Sequence, residues 1–310
     1  MDIDLVYLWV DGNDPDWLSR KRAFTGEYDN KDDNNCSARF EQNDELKYSL
    51  RSVEKYMPWI RNIFIVTDNQ TPSWLDTTNP KIKIIDHKDI LPEESLPCFN
   101  ATVIECFLYK IPGLSEHFIY ANDDMFAGDM LTQDFFFAED GLPMIMLSHD
   151  PFEGIIMRFK KLFNLHISSY RQMIDKAARL VRDKFGKYYS DVPHHNFDAY
   201  LKSDYRKVVE EVFEKEISAN ISSHLRNPND VQRVIVYYYA LAVKRGHMKY
   251  VERNESCRIR VHKPDFMGYI ERYRPKLFCL NDSEHATESD RKRIRPFLEG
   301  LFPDKSKFEK

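Results

Sequence analysis

An α/β fold, with a mainly parallel sheet in its first half and a more helical second half, is predicted by three features of this 310-residue chain. Short, nearly continuous apolar segments recur through the first half. Helical periodicities lie between them. Each apolar segment ends in a polar or acidic residue, the pattern of strands whose carboxyl ends face a ligand crevice.

The segments are Ile3–Val10, Ile63–Thr67, Ile82–Ile85 and Phe118–Ala121. Their β-branched and aromatic content, without strict alternation, predicts strands buried on both faces. Between them, Glu45–Tyr56 sets Leu46, Leu50 and Val53 on one side of a helix that Pro58 stops. Thr102–Lys110 is a second helix, closed by Pro112-Gly113. The polar stretch Gly26–Asn43 reads as a surface loop, a candidate lid over the strand ends. In the second half, Tyr170–Phe185 has helical spacing and Gly186 as its C-cap. Tyr205–Ile217, the strongly apolar Asp230–Arg245 and Glu288–Leu301 are further helices, with a strand or hairpin over Tyr250–Val261. Residues 1–150 then form an α/β part and residues 151–310 a mainly helical part. No Gly-rich linker divides them, so one continuous globule is expected.

Hydrophobic residues make up 42% of the chain and aromatics 14%, enough for a sizeable core. A net charge of -5 argues against a general nucleic-acid binder. No apolar run reaches the length of a membrane span, and the N-terminus lacks the basic region of a signal peptide. The five cysteines, none in CxxC spacing, read as reduced thiols rather than a zinc site.

The candidate chemistry starts at Phe118–Phe126, FIYANDDMF. The adjacent carboxylates of Asp123 and Asp124 repel each other, and helix capping would use only one of them. A hard divalent cation, Mg²⁺ or Mn²⁺, would offset the repulsion, and such ions commonly bridge a diphosphate. For Asp68 and Asp86 the plainer reading, turn formation or capping, is favoured. Val192-Pro193-His194-His195-Asn196 offers a histidine as general base, against the plainer reading of a surface turn. Arg226, in SSHLRNP ahead of an apolar helix, suits a phosphate, against a plain surface arginine. Cys279 reads as a buried thiol rather than a nucleophile.

Taken together, these motifs resemble the Stealth proteins, sugar-1-phosphate transferases that include bacterial capsular polysaccharide phosphotransferases and the animal lysosomal-enzyme N-acetylglucosamine-1-phosphotransferase. Ile3–Trp17 (IDLVYLWVDGNDPDW) resembles their first conserved region. Glu45–Leu75 with His117–Gly128 resembles the second. Val192–Phe197 with His224–Gln232 resembles the third, and Lys276–Glu284 the fourth. The strand-end acidic motif is also similar to that of GT-A nucleotide-sugar transferases, so a GT-A-like, Rossmann-type sheet is implied.

The resemblance implies transfer of a hexose-1-phosphate, of N-acetylhexosamine type, from a UDP-sugar to a hydroxyl of an oligo- or polysaccharide, releasing UMP. It implies capsular or cell-surface polysaccharide synthesis in the cytoplasm, or peripherally at the inner membrane face beside a membrane-bound assembly complex. His194, directly after the proline, is the preferred base over His195. Arg226 stabilises phosphoryl charge. Asp11 touches uridine, ribose or the reacting phosphate. Trp9, Val10, Gly12, Arg51 and Asn122 bind the nucleotide-sugar, with Arg51 on the diphosphate. Asp123 and Asp124, with Asn281 and Asp282, hold Mg²⁺ or Mn²⁺. Two competing readings are a conventional glycosyltransferase releasing UDP and a non-catalytic nucleotide-sugar-binding scaffold.

Overall fold

The computed structural model describes residues 1–25, 43–148, 152–282 and 285–310. The strands are β1 (Ile3–Leu8), β2 (Ile63–Thr67), β3 (Ile82–Asp86), β4 (His117–Asn122), β5 (Met125–Ala127), β6 (Met144–Ser148), β7 (Val192–Pro193), β8 (Asp198–Leu201), β9 (His247–Tyr250), β10 (Ser256–Arg260) and β11 (Leu277–Asn281). The helices of the first half are α1 (Pro15–Thr25), α2 (Glu45–Tyr56), α3 (His87–Ile90) and α4 (Ala101–Cys106). Those that follow are α5 (Glu153–Leu162), α6 (Ser169–Phe185), α7 (Lys202–Lys207), α8 (Glu214–Ser218), α9 (Val234–Ala242), α10 (Gly268–Tyr273), α11 (Glu288–Arg291) and α12 (Ile294–Leu301).

The central sheet runs β3-β2-β1-β4-β8. Its first four strands are parallel, and β8 closes the edge antiparallel to β4. The four parallel strands are those the apolar segments predict, and the chain is α/β as expected. Strand order reverses at β1, with β2 and β3 on one side and β4 on the other. Such a switch point opens a crevice beyond the carboxyl ends of β1 and β4. Register sets Leu8 opposite Asn122, so the segments starting at Trp9 and Asp123 leave the sheet side by side.

Two small sheets, β10-β11-β5 and β7-β6-β9, build on this platform. Their strands are short, two to five residues each, which is why periodicity misses most of them. The strand or hairpin expected over Tyr250–Val261 is the single strand β10, paired with β11, while β9 before it pairs with β6. The expected Tyr205–Ile217 helix is broken into α7, a π turn over Val208–Val212, and α8. The Gly26–Asn43 loop lies almost wholly outside the described residues, as does the lid reading.

Three buried clusters form the core, one around β10, β11 and α12 and two on opposite faces of the central sheet. One packs α4, α6 and α9 against Val6, Phe118 and Tyr120. The other packs α2 against Leu5, Tyr7 and Ile65. Among the described residues, no helix is long and apolar enough to cross a membrane.

Candidate active site

The Asp123-Asp124 doublet is the turn that carries the chain from β4 in the central sheet to β5 in a small one. Its backbone is fixed by Leu280, whose amide donates to the Asp124 carbonyl at 2.9 Å. Asp124 Oδ2 accepts from the Cys279 thiol at 3.2 Å, while Oδ1 is buried without a hydrogen-bond partner among the described residues. Burial, reinforced by the neighbouring Asp123 charge, pushes the Asp124 carboxyl up to about 7. Burial and the same Asp123 charge push Glu45, at the start of α2, up to about 8. Three carboxylates thus share one field, and one oxygen lacks a partner. A divalent cation could be held at this doublet, in the negative field to which Glu45 adds, with Asp124 as the one of these carboxylates whose oxygen groups with other ligand-type atoms among the described residues, those of His195 and Cys279. Glu45 escapes sequence reading because a helix-starting Glu is ordinary capping chemistry.

The histidine that lies beside the doublet is His195, not the preferred His194. His194 is buried, with Nδ1 2.8 Å from Ser256 Oγ and Nε2 3.1 Å from the Phe197 carbonyl. Its Nε2 also lies 3.5 Å from Asp198 Oδ1. Both ring nitrogens are occupied inside the protein, so His194 positions its loop. The next side chain points the other way. Nitrogen of His195, a carboxylate oxygen of Asp124 and Sγ of Cys279 lie within 4.8 Å of one another. His195 takes the left-handed backbone region at φ 59, uncommon for a non-glycine residue and a strain that aims its ring. Burial, with Arg258 and Arg233 nearby, pushes its pKa down to about 3, so the imidazole is neutral at physiological pH. Cys279 is a thiol, not a thiolate: burial and the Asp124 charge hold its pKa well above the usual value.

A buried polar chain backs the site. Tyr120 donates to Asn122 Oδ1 at 2.6 Å and lies 2.9 Å from Glu105 Oε1. Arg233 sits 3.5 Å from that Glu105 oxygen, and its guanidinium bonds Asp198 and Tyr200. Asp198 leads to His194 and so to Ser256. Asn122 is therefore half-buried and tied to this chain at the end of β4. Sequence reading missed Arg233, Asp198 and Glu105. The available signal was an arginine directly before the all-apolar run VIVYYYALA of α9.

At the ends of β1 and β2 lies a cavity of about 360 Å³ lined by Trp9, Asp11, Asp14, Asp44, Gln70 and Trp74 among others. The Asp11 backbone is clamped by Gln70: its amide donates to Gln70 Oε1 at 2.9 Å and its carbonyl accepts from Nε2 at 3.1 Å. Asp11 Oδ1 caps the turn by accepting from the Asn13 amide at 2.9 Å. Trp9, Val10 and Asp11 are half-buried and Gly12 is buried, at the strand end where the sequence puts them. Asp86 caps α3 in a reciprocal capping box, its plainer reading, whereas Asp68 pairs with Arg20 at 2.9 Å.

Three further expectations meet different surroundings. Arg51 is buried and fully engaged: Nε and Nη2 donate to Glu309 at 2.8 and 2.9 Å, and Nη1 to the Phe302 carbonyl at 2.7 Å. It clamps the last residues onto α2 and is set aside as a diphosphate ligand. The Asn281 carboxamide oxygen accepts from Arg258 at 2.6 Å. The Asp282 carboxylate accepts from Arg291 at 2.7 Å. Both side chains expected at the cation thus have guanidinium partners. Arg226 is half-buried and makes no hydrogen bond or ion pair among the described residues. Its loop is nevertheless braced, because Asn100 Nδ2 donates to the carbonyls of Ser223 and Leu225 and to Asp230.

Comparison with known proteins follows the same regions. Residues 1–29 match Stealth protein CR1, conserved region 1; residues 39–145 match CR2, conserved region 2; residues 269–310 match CR4, conserved region 4. The exopolysaccharide phosphotransferase cps2G of Lactiplantibacillus plantarum is 34% identical over 335 residues, covering 100% of this chain and 96% of that protein. The capsular polysaccharide phosphotransferase cps12A of Actinobacillus pleuropneumoniae is 36% identical over 320 residues, covering 97% and 82%. A crystal structure of the galactosyltransferase LgtC with donor and acceptor sugar analogues superposes at a TM-score of 0.47 and 12% identity, covering 96% of each chain. By these full-length relatives and three conserved regions, the chain belongs to the Stealth family and is a transferase.

Proposed function

We infer that this transferase moves a hexose-1-phosphate from a UDP-sugar onto a glycan hydroxyl in capsular or exopolysaccharide synthesis, releasing UMP. The observation that carries this reading is the juxtaposition at the switch point: a neutral His195 beside an acidic doublet with an orphaned oxygen. The names of the full-length relatives, phosphotransferases of capsular and exopolysaccharides, supply the reaction class.

Each requirement of phosphoryl transfer has a candidate. The neutral imidazole of His195 accepts the proton of the acceptor hydroxyl as that oxygen attacks the β-phosphorus. The anionic donor, once bound, raises the imidazole pKa from its depressed value and strengthens the base. Arg258 already lies in the field of Asp124 and His195, and Arg226, without a partner among the described residues, is a second source of positive charge for the phosphoryl oxygens. Asp123 and Asp124 would hold Mg²⁺ or Mn²⁺, which neutralises diphosphate charge when bound. The 360 Å³ cavity between Trp9 and Trp74 suits a nucleoside, with indole faces for the uracil ring and the clamped Asp11 turn beside the ribose.

The test is product identity. The protein is incubated with UDP-N-acetylglucosamine, Mg²⁺ and an oligosaccharide acceptor, and followed by ³¹P NMR. UMP with a new phosphodiester resonance is the expected result. UDP as the nucleotide product would replace this reading with glycosyl transfer.

A further inference from the structure

Helix α5 wears its apolar face on the outside. A surface helix of a soluble domain ordinarily turns that face to the core. Here Phe152, Ile155, Ile156, Phe159, Leu162 and Phe163 are all exposed, with Leu162 at 79%, Ile155 at 67% and Phe152 at 65%. Helical hydrogen bonds run from the Ile156 amide to the Phe152 carbonyl and from Phe163 to Phe159, so one register covers the stretch. At 3.6 residues per turn these six positions fall within an arc of roughly 120°. Met157, roughly 160° round from the middle of that arc, is the buried contact with the body. The helix is thus docked by its opposite side, and its apolar arc meets solvent.

The sequence around this arc is basic. Residues 152–165 carry Arg158, Lys160 and Lys161 against the single acid Glu153, in a chain whose net charge is -5. Apolar side chains with flanking cations form the composition of a helix lying in a membrane interface, where the stems of Lys and Arg reach back to anionic headgroups. Two copies of such a face would set like charges against each other. At 10 residues the helix is about 15 Å long, half the thickness of a hydrocarbon core, so it suits lying in the plane and not crossing.

We propose that α5 docks the protein directly on an anionic lipid surface by inserting Phe152, Ile155, Phe159 and Leu162 among the headgroups. Its position gives the docking a purpose. The helix lies in the chain between β6, which pairs with β7 ahead of His194-His195, and α6, whose Tyr170 ring meets the His195 ring edge-on at 6.4 Å. A protein seated on α5 holds the loop of its candidate base close to the lipid surface. The acceptor class that fits is a glycan presented at a membrane. This docking does not depend on the identity of the donor or on the reaction proposed above.

The experiment is sedimentation of the full chain with phosphatidylcholine vesicles, with and without phosphatidylglycerol. Its comparison is the double variant Phe159→Glu, Leu162→Glu. Both positions are exposed, so the variant is expected to keep its circular dichroism spectrum and melting temperature. Expected are binding to the anionic vesicles, weaker binding to the neutral ones, and a loss of roughly tenfold or more in the variant. Failure of the wild-type chain to bind anionic vesicles, or unchanged binding by the variant, would overturn the proposal. So would concentration-dependent dimerisation that the double substitution abolishes, because the face would then be a contact between copies.

Discussion

Replacing His195 by glycine separates chemistry from folding better than the usual alanine. The native φ of 59 costs a non-glycine residue about 1–2 kcal/mol and costs glycine almost nothing. That relief is set against the lost edge-on contact with Tyr170 and the entropy of the added glycine, so the net stability change is within about 1 kcal/mol. For 310 residues the unfolding entropy is roughly 0.65 kcal/mol per kelvin, and the melting temperature should stay within about 2 °C. Activity should nevertheless fall by about 10²–10⁴, the usual contribution of a general base. Added imidazole, small enough for the vacated space, should restore part of the turnover of H195G. The contrasting variant is His194→Ala. It strips a partner from the buried Phe197 carbonyl and from the buried Asp198 carboxylate, at about 1–3 kcal/mol for each polar group left unsatisfied. H194A should therefore melt several degrees lower and gain nothing from imidazole. The assay is UMP release beside thermal unfolding on the same samples. If H195G turns over within fivefold of the wild type while a still-folded H194A is inert, the base assignment is reversed.

Other outcomes follow from the same geometry. Arg233→Met leaves Asp198 and Glu105 buried without their counter-charge and should cost about 3–5 kcal/mol in denaturant unfolding at pH 7. Its pH dependence is diagnostic. Arg233 and His194 now hold the Asp198 carboxyl below its unfolded value despite burial, so its contribution is present above that value and lost as pH falls through the folded one. In R233M burial would be opposed by His194 alone, and that pKa should rise above the unfolded value. The variant's deficit should then shrink as pH is lowered towards 4, and a deficit that grows there would refute the account. Trp74→Ala, measured by initial rates, should raise the KM for the UDP-sugar about tenfold with little change in kcat, as loss of uniform binding requires. Glu309→Gln weakens the Arg51 clamp and should lower the melting temperature while leaving KM unchanged; a selective rise in KM would return Arg51 to the donor site.

The parallel sheet was legible because strands buried on both faces must be apolar almost throughout, and β1 to β4 are. The predicted limits of α2 match the observed Glu45–Tyr56 because Pro58 marks its end. The doublet at Asp123-Asp124 was legible because adjacent carboxylates at a buried strand end have few structural uses. The choice between His194 and His195 was not, since neighbouring residues in an irregular loop differ only in which way they point. Arg51 and Asp282 misled for one reason: a charged residue in a motif reads the same whether its partner is a ligand or another side chain. Their partners, Glu309 and Arg291, come from near the chain's end and from α11. The Arg51–Glu309 pair spans 258 residues of chain and leaves no mark in local spacing.

The buried polar chain also bears on how the molecule divides. Glu105 and Tyr120 belong to the first half of the sequence, and Arg233, Asp198 and Tyr200 to the second. Strand β8 from the second half completes the sheet edge against β4. A polypeptide cut in the exposed stretch between α5 and α6 would therefore give two fragments, each with half of an ionic network and an open strand edge. Neither piece is expected to fold by itself. Produced together, they should reassemble as a split enzyme, with the Arg233 guanidinium as the lock between them.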